Sequence, residues 1–153
     1  MDKIARKKTF SKILVAINDA SKAADKAVYY STKIAQDYDA NLVVLYVVRT
    51  HTNLDTATIP SHVIDFKKQA QVYLTKISEK ILKHSDSVNI VKVKTDIIAS
   101  NKIADAIVNY AKDKHIDLIV VGPRGKSKLK SLVLGSVTSD VVRLANCPVL
   151  TVR

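Results

Sequence analysis

The chain of 153 residues has three glycines, one cysteine and one glutamate, and it lacks any long apolar run. Each scarcity excludes something. A single cysteine, Cys147, rules out an intrachain disulfide or a cysteine metal cluster, and its neighbours Asn146 and Pro148 offer no base to activate it, so it reads as a packing residue. No apolar stretch approaches the roughly 20 residues of a membrane helix. The start, MDKIARKKTFSK, is basic but runs into only five apolar residues, ILVAI, with no small-residue cleavage site; the expectation is a soluble, cytoplasmic protein. Acidic residues are also few: 14 Asp and Glu stand against 25 Lys and Arg, for a formal charge of +11 that favours anionic partners. The lysines are scattered through every segment, with no basic run interleaved with aromatics, which argues against nucleic acid as the main ligand.

Length and composition fit one domain: 47% hydrophobic and 25% charged residues is a globular balance. Residues 1–11 read as a basic N-terminal arm and 12–153 as the domain. KILVAIN, residues 12–18, and NLVVLYVV, residues 41–48, are near-continuous apolar runs rich in β-branched residues, as in strands covered on both faces. Between them Ala24, Ala27, Val28, Ser31, Ile34 and Ala35 recur at helical spacing. A polar stretch, 50–62, leads to a second helix carrying Val63, Phe66, Ala70, Tyr73, Leu74, Ile77 and Ile81 on its inner face behind a Ser61 cap. VNIVKVKTDII, residues 88–98, reads as a strand and IIASNKI as its exit loop. A helix over about 100–114, the strand DLIVVG, a helix capped by Ser136 and the strand CPVLTVR complete the chain. Five strands alternating with four helices predict an α/β fold, a five-stranded parallel sheet with helices on both faces, in which ligands sit beyond the carboxyl ends of the strands where strand order reverses.

All three glycines lie in one stretch, VVGPRGKSKLKSLVLGSVTSD, residues 120–140, directly after the strand DLIVV. Turn punctuation would spread them along the chain. The stretch is neither a Walker A loop nor a dinucleotide fingerprint. Gly122 and Gly125 let the main chain bend around an anion, and Gly135-Ser136 opens a helix whose free amides and positive dipole end attract phosphate, with hydroxyls from Ser136 and Thr138. Arg124, Lys126, Lys128 and Lys130 add four cations, with no acid between Asp117 and Asp140. Any ligand there should be anionic.

The string GPRGKSKLKSLVLGSVTSDVVRLANCPVLTVR resembles the nucleotide-binding branch of the universal stress protein family, whose signature is Gly, two residues, Gly, nine residues, Gly, then Ser or Thr. The resemblance extends from about Phe10 to Arg153. It implies a Rossmann-like, adenine nucleotide alpha hydrolase-like fold and a stress-response role. It also implies ATP, or AMP or ADP, as ligand, with room for Mg2+ accompanying the phosphates, and a homodimer formed through the last strand. On that resemblance Gly122, Gly125, Gly135, Ser136, Val137 and Thr138 hold phosphates and ribose, Ala16, Ile17 and Asn18 lie against the nucleoside, and Val47 meets the adenine. Arg124 and Lys126 either reach a γ-phosphate or form a solvated basic edge. Asn18 stands where relatives usually carry Asp; an amide both donates and accepts, whereas a carboxylate only accepts.

Catalytic parts are harder to find. Phosphoryl transfer needs a positioned water and usually a metal held by a strand-end carboxylate, and none is identifiable. Asp117 precedes its strand, Asp140 lies inside the last helix, and His51, His62, His84 and His115 show no metal-ligand spacing. Three readings stay open: a nucleotide-binding regulatory module, an enzyme hydrolysing ATP slowly or transferring phosphoryl groups with the same loop, and a homodimeric scaffold whose site is empty in the cell.

Overall fold

The computed structural model describes residues 9–51, 61–85, 90–122 and 134–153. β1 (Lys12–Ile17), α1 (Lys22–Tyr38), β2 (Asn41–Arg49), α2 (Ser61–His84), β3 (Val93–Ser100), α3 (Ile103–Asp113), β4 (Leu118–Val121), α4 (Ser136–Leu144) and β5 (Val149–Thr151) follow in order. All strands are parallel, arranged β3-β2-β1-β4-β5. From β1 the chain builds outward to β3, then crosses back to β4 on the other side, so strand order reverses between β1 and β4.

Successive side chains on a strand point to opposite faces, so a run that is apolar at every position buries both. Ile13, Val15 and Ile17 pack against Ala24, Ala27 and Val28 of α1 and against Leu74, Ile77 and Ile81 of α2. Leu14 and Ala16 point the other way and meet Ile103, Ala104, Ile107 and Ala111 of α3 and Val141 of α4. The alanine-rich face of α1 follows from this arrangement, since small side chains let the helix lie close to the sheet.

Three details depart from the expectations. Phe66 is 48% exposed and faces the His62 ring edge-on. The stripe Val63, Ala70, Leu74, Ile77 and Ile81 carries the buried face of α2, and Phe66 lies on its flank, about 60° round the helix from Val63. β3 begins at Val93 and runs through Ala99 and Ser100, which pair with Val48 and Arg49, because β2 extends far enough to supply those rungs. Ser61 and Ser136, expected as caps, are the first residues of α2 and α4, and at α4 the cap position falls to Gly135, with no side-chain cap bond.

Two phenols tie elements together, one within the α1–α2 layer and one between α3 and the sheet. Tyr73 on α2 donates to Asp25 Oδ1 on α1 (2.8 Å), and Tyr110 on α3 donates to Asp96 Oδ2 on β3 (2.9 Å). Burial, then the bond to Asp96 and its charge, push the Tyr110 phenol from 10.0 up to about 12; burial and Asp25 push Tyr73 up as well. A raised folded pKa means the neutral phenol is the stabilised form. Its contribution is complete below the unfolded value near 10 and is lost as pH rises to about 12. Stability should therefore fall across that window. Tyr110→Phe should cost about 1 kcal/mol at pH 8, below the roughly 1.5–3 kcal/mol of a bond to a charged group because the site is only part-buried, and should flatten the alkaline fall in denaturant titrations.

Candidate functional site

Three helices begin at the carboxyl edge of the sheet, around the reversal point. α1 is entered by a local turn in which Asp19 Oδ1 accepts the Ser21 amide (3.0 Å) and Ser21 Oγ accepts the Ala24 amide (3.1 Å). Asp19 is therefore engaged in shaping the turn, which leaves exposed Asn18 as the polar group presented at the end of β1. α3 enters just after β3, and α4 starts at Ser136. The first amides of each helix have no intrahelical acceptor, so their partial positive charges face the same edge.

Ala16, Ile17, Asn18, Gly122, Val137 and Thr138 line one small cleft there, of about 40 Å³. Ile103 and Ile107 of α3 and Val121 complete its wall. Such a volume holds a few waters, far below the roughly 300–1,000 Å³ of a ligand pocket, so the described residues form a floor rather than an enclosure. Gly135 and Ser136 lie immediately before Val137 on the same chain turn. Arg124, Gly125 and Lys126, together with Lys128 and Lys130, lie outside the described residues. Val47 does not line the cleft: it is 1% exposed, packed in the layer beneath, in the same apolar cluster as Ala16, Val121 and Ile103. Ile103 and Ile107 are legible in the sequence as inward positions of α3, but their place in the cleft depends on α3 starting beside the reversal point.

Thr138 is 3% exposed, and its hydroxyl donates to the Gly122 carbonyl at 3.0 Å, fastening the end of β4 to the first turn of α4. Its proton serves the scaffold, while Ser136 remains exposed. A Cβ at Gly122 would lie 3.3 Å from the Ala23 carbonyl oxygen on α1, so glycine there permits close packing of strand end against helix start. Neither Gly122 nor Gly135 has a positive φ. The left-handed positions among the described residues belong to Asp39 (φ 50°), which caps α1, and His115 (φ 56°), before β4. Each such residue costs about 1 kcal/mol relative to glycine. Among the described residues, non-glycine side chains thus stand where backbone strain would favour glycine, and Gly122 stands where the missing side chain matters.

Other reactive groups stand apart. Burial and the nearby Asp117 charge push the Cys147 thiol upward, which keeps it protonated, and it packs against the α3–α4 cluster. Asp117 lies at the amino edge of the sheet, where its carboxylate accepts the Ser11 amide (2.8 Å) and the Lys12 amide (3.2 Å). Asp140 pairs with Arg143 on the surface of α4 (3.1 Å). His51, His62, His84 and His115 are all exposed. No helix among the described residues is long and apolar enough to cross a membrane.

Strand order, parallel pairing and cleft define a parallel α/β domain with its crevice at the switch point between β1 and β4. The profile of the universal stress protein family matches residues 9–153, and the chain belongs to that family. It is 38% identical over 154 residues to the universal stress protein YxiE of Bacillus subtilis, covering 94% of this chain and 99% of that one. Among solved structures it is similar to the universal stress protein UspA of Lactobacillus plantarum, at 30% identity and a TM-score of 0.68, over 94% of this chain and 98% of that one. The fold is shared as well with the universal stress protein of Archaeoglobus fulgidus solved in complex with dAMP, at 20% identity and a TM-score of 0.68, covering 95% of this chain and 99% of that one.

Proposed function

We propose that this chain is a regulatory module of the cytoplasmic stress response that binds an adenine nucleotide at the switch-point cleft and works as a homodimer. The observation that carries the reading is Gly135: it has ordinary backbone angles and stands two residues before Val137 and three before Thr138, which line the cleft, so a missing side chain there leaves the first amides of α4 open to another group. An anion is the group that the open amides of α4 favour. The Archaeoglobus fulgidus relative solved with dAMP supports an adenine nucleotide. In this reading the phosphates lie against Ser136–Thr138 and the glycine stretch, Asn18 faces the ribose, and ATP, ADP and AMP compete for one place. Among the described residues no three of His, Cys, Asp and Glu gather in a metal-binding group, so Mg2+ would arrive with the nucleotide's own phosphates.

The test compares ATP with a generic single-stranded RNA by calorimetry between about 50 and 200 mM salt. A binder neutralising six to ten phosphates loses about three to five decades of affinity over that range. A single nucleotide held by amides should weaken less than tenfold. Release of adenine nucleotide from denatured, freshly purified protein would add direct support. RNA binding that stays tight at 200 mM and is unaffected by Gly125→Val would overturn the proposal.

A further inference from the structure

A second concave site lies at the opposite, amino-terminal edge of the sheet. Lys12 opens β1, Lys92 and Lys94 flank the start of β3, and Lys114 caps α3; the four line one cleft of about 210 Å³. Val43, Ile116 and the Tyr110 ring line it too. From Lys12 to Ile17 is five strand steps, so this cleft and the switch-point cleft lie about 17 Å apart along β1.

Solvated surface lysines are ordinary, and four things set these apart. They converge in a concavity whose low-dielectric walls concentrate their field. No carboxylate lines the cleft. Asp117 and Asp96 are held by other donors, Asp117 by the amides of Ser11 and Lys12 and Asp96 by Tyr110 and the Ile97 amide. Two of the ammonium groups are held in place: Lys12 Nζ donates to the Lys114 carbonyl (3.0 Å), and Lys114 Nζ stands 5.9 Å from the Tyr110 ring centre. The first of these contacts also neutralises the negative carboxyl end of α3, which would otherwise repel an anion.

We infer that this cleft binds a small polyvalent phosphate anion of the pyrophosphate or triphosphate type, at a site separate from the switch-point cleft. Four like charges in so small a volume call for several negative charges in a comparable volume. A peptide spreads its carboxylates over many residues, whereas a phosphate chain carries at least one charge per phosphorus. Lysines, as point charges without a planar fork, suit phosphate oxygens approached from several directions.

The test follows backbone amide shifts by NMR as inorganic tripolyphosphate is added, with ATP as a second arm to separate a free phosphate chain from the phosphates of a nucleotide. Expected are shifts at Lys12, Leu42, Lys94, Lys114 and Ile116. Lys92→Gln with Lys94→Gln, both exposed, should weaken the tripolyphosphate response there at least tenfold and leave the response of Gly122 and Ser136–Thr138 to ATP unchanged. Lys68→Gln with Lys76→Gln, on exposed positions of α2, removes the same charge elsewhere and should change neither response. Shifts at the amino edge with ATP alone would identify the nucleotide as the source. Shifts confined to the carboxyl edge, or an equal loss in the α2 control, would overturn the inference.

Discussion

Gly135→Val is expected to weaken adenine-nucleotide binding at least 100-fold in a protein that still folds. Gly135 has φ −58° and ψ 157°, an extended conformation that valine adopts without strain. Valine is a poorer N-cap than glycine, which sets the stability cost at about 1 kcal/mol, or about 2–4 °C in Tm for a chain of this length. Binding suffers far more, because a branched side chain would stand over the open amides of Ser136 and Val137. Hydrogen bonds to a charged phosphate contribute about 1.5–3 kcal/mol each, and losing two exceeds the roughly 2.8 kcal/mol that separates 100-fold in affinity. Calorimetry with ATP, beside a thermal melt, checks both halves. A folded Gly135→Val protein with unchanged affinity would mean that the nucleotide, if bound, does not use the start of α4.

Thr151→Pro is expected to convert the proposed homodimer to monomer. β5 lies at one edge of the sheet and pairs only with β4. The Pro148 carbonyl accepts the Ile119 amide (3.0 Å) and the Val152 amide donates to the Val121 carbonyl (2.8 Å), so residues of that parity face inward. By alternation the polar groups of Val149 and Thr151 face outward, where an unpaired edge invites a second copy. Proline at 151 removes one outward donor and leaves the inward rungs intact; proline is tolerated on such edges. Deleting residues 149–153 would be a poorer test, because it also removes buried Val152 and its rung to β4. Sedimentation should show one chain instead of two, with near-native circular dichroism. A Thr151→Pro protein that remains dimeric would place the contact elsewhere.

Order and type of all nine elements were legible in the sequence because each carries a strong period: apolar at every position in β1 and β2, apolar every three or four residues in α1 and α3. Boundaries were less so. Ala99 and Ser100 look like loop residues, and only the length of β2 beside them keeps them in the sheet. Phe66 looks like core, yet apolarity alone does not show that the buried stripe of α2 passes to one side of it. At the site, glycine spacing pointed to the end of β4, where Gly122 lines a cleft. The physical role of Gly122 and Gly135 was not legible, since close approach and positive φ look identical in a sequence and only their own backbone angles separate them. The place of Thr138 was clear, whereas its bond to Gly122 was not, because the hydroxyl could equally have served a ligand. The lysine cleft was invisible, because its members are separated by up to 102 residues and meet only when β1, β3 and α3 are assembled.

The fastening of Gly122 by Thr138 has one more consequence. Val121, the residue before Gly122, accepts the rung from Val152 that holds the far end of β5. Cleft floor and outer strand are therefore held by successive carbonyls, those of Gly122 and Val121. Displacing Gly122 tugs on the very carbonyl that anchors the outer strand, with no lever or moving domain in between. Where a bound molecule and pairing along the outer strand both favour one arrangement of this short segment, each changes the affinity of the other by the same factor.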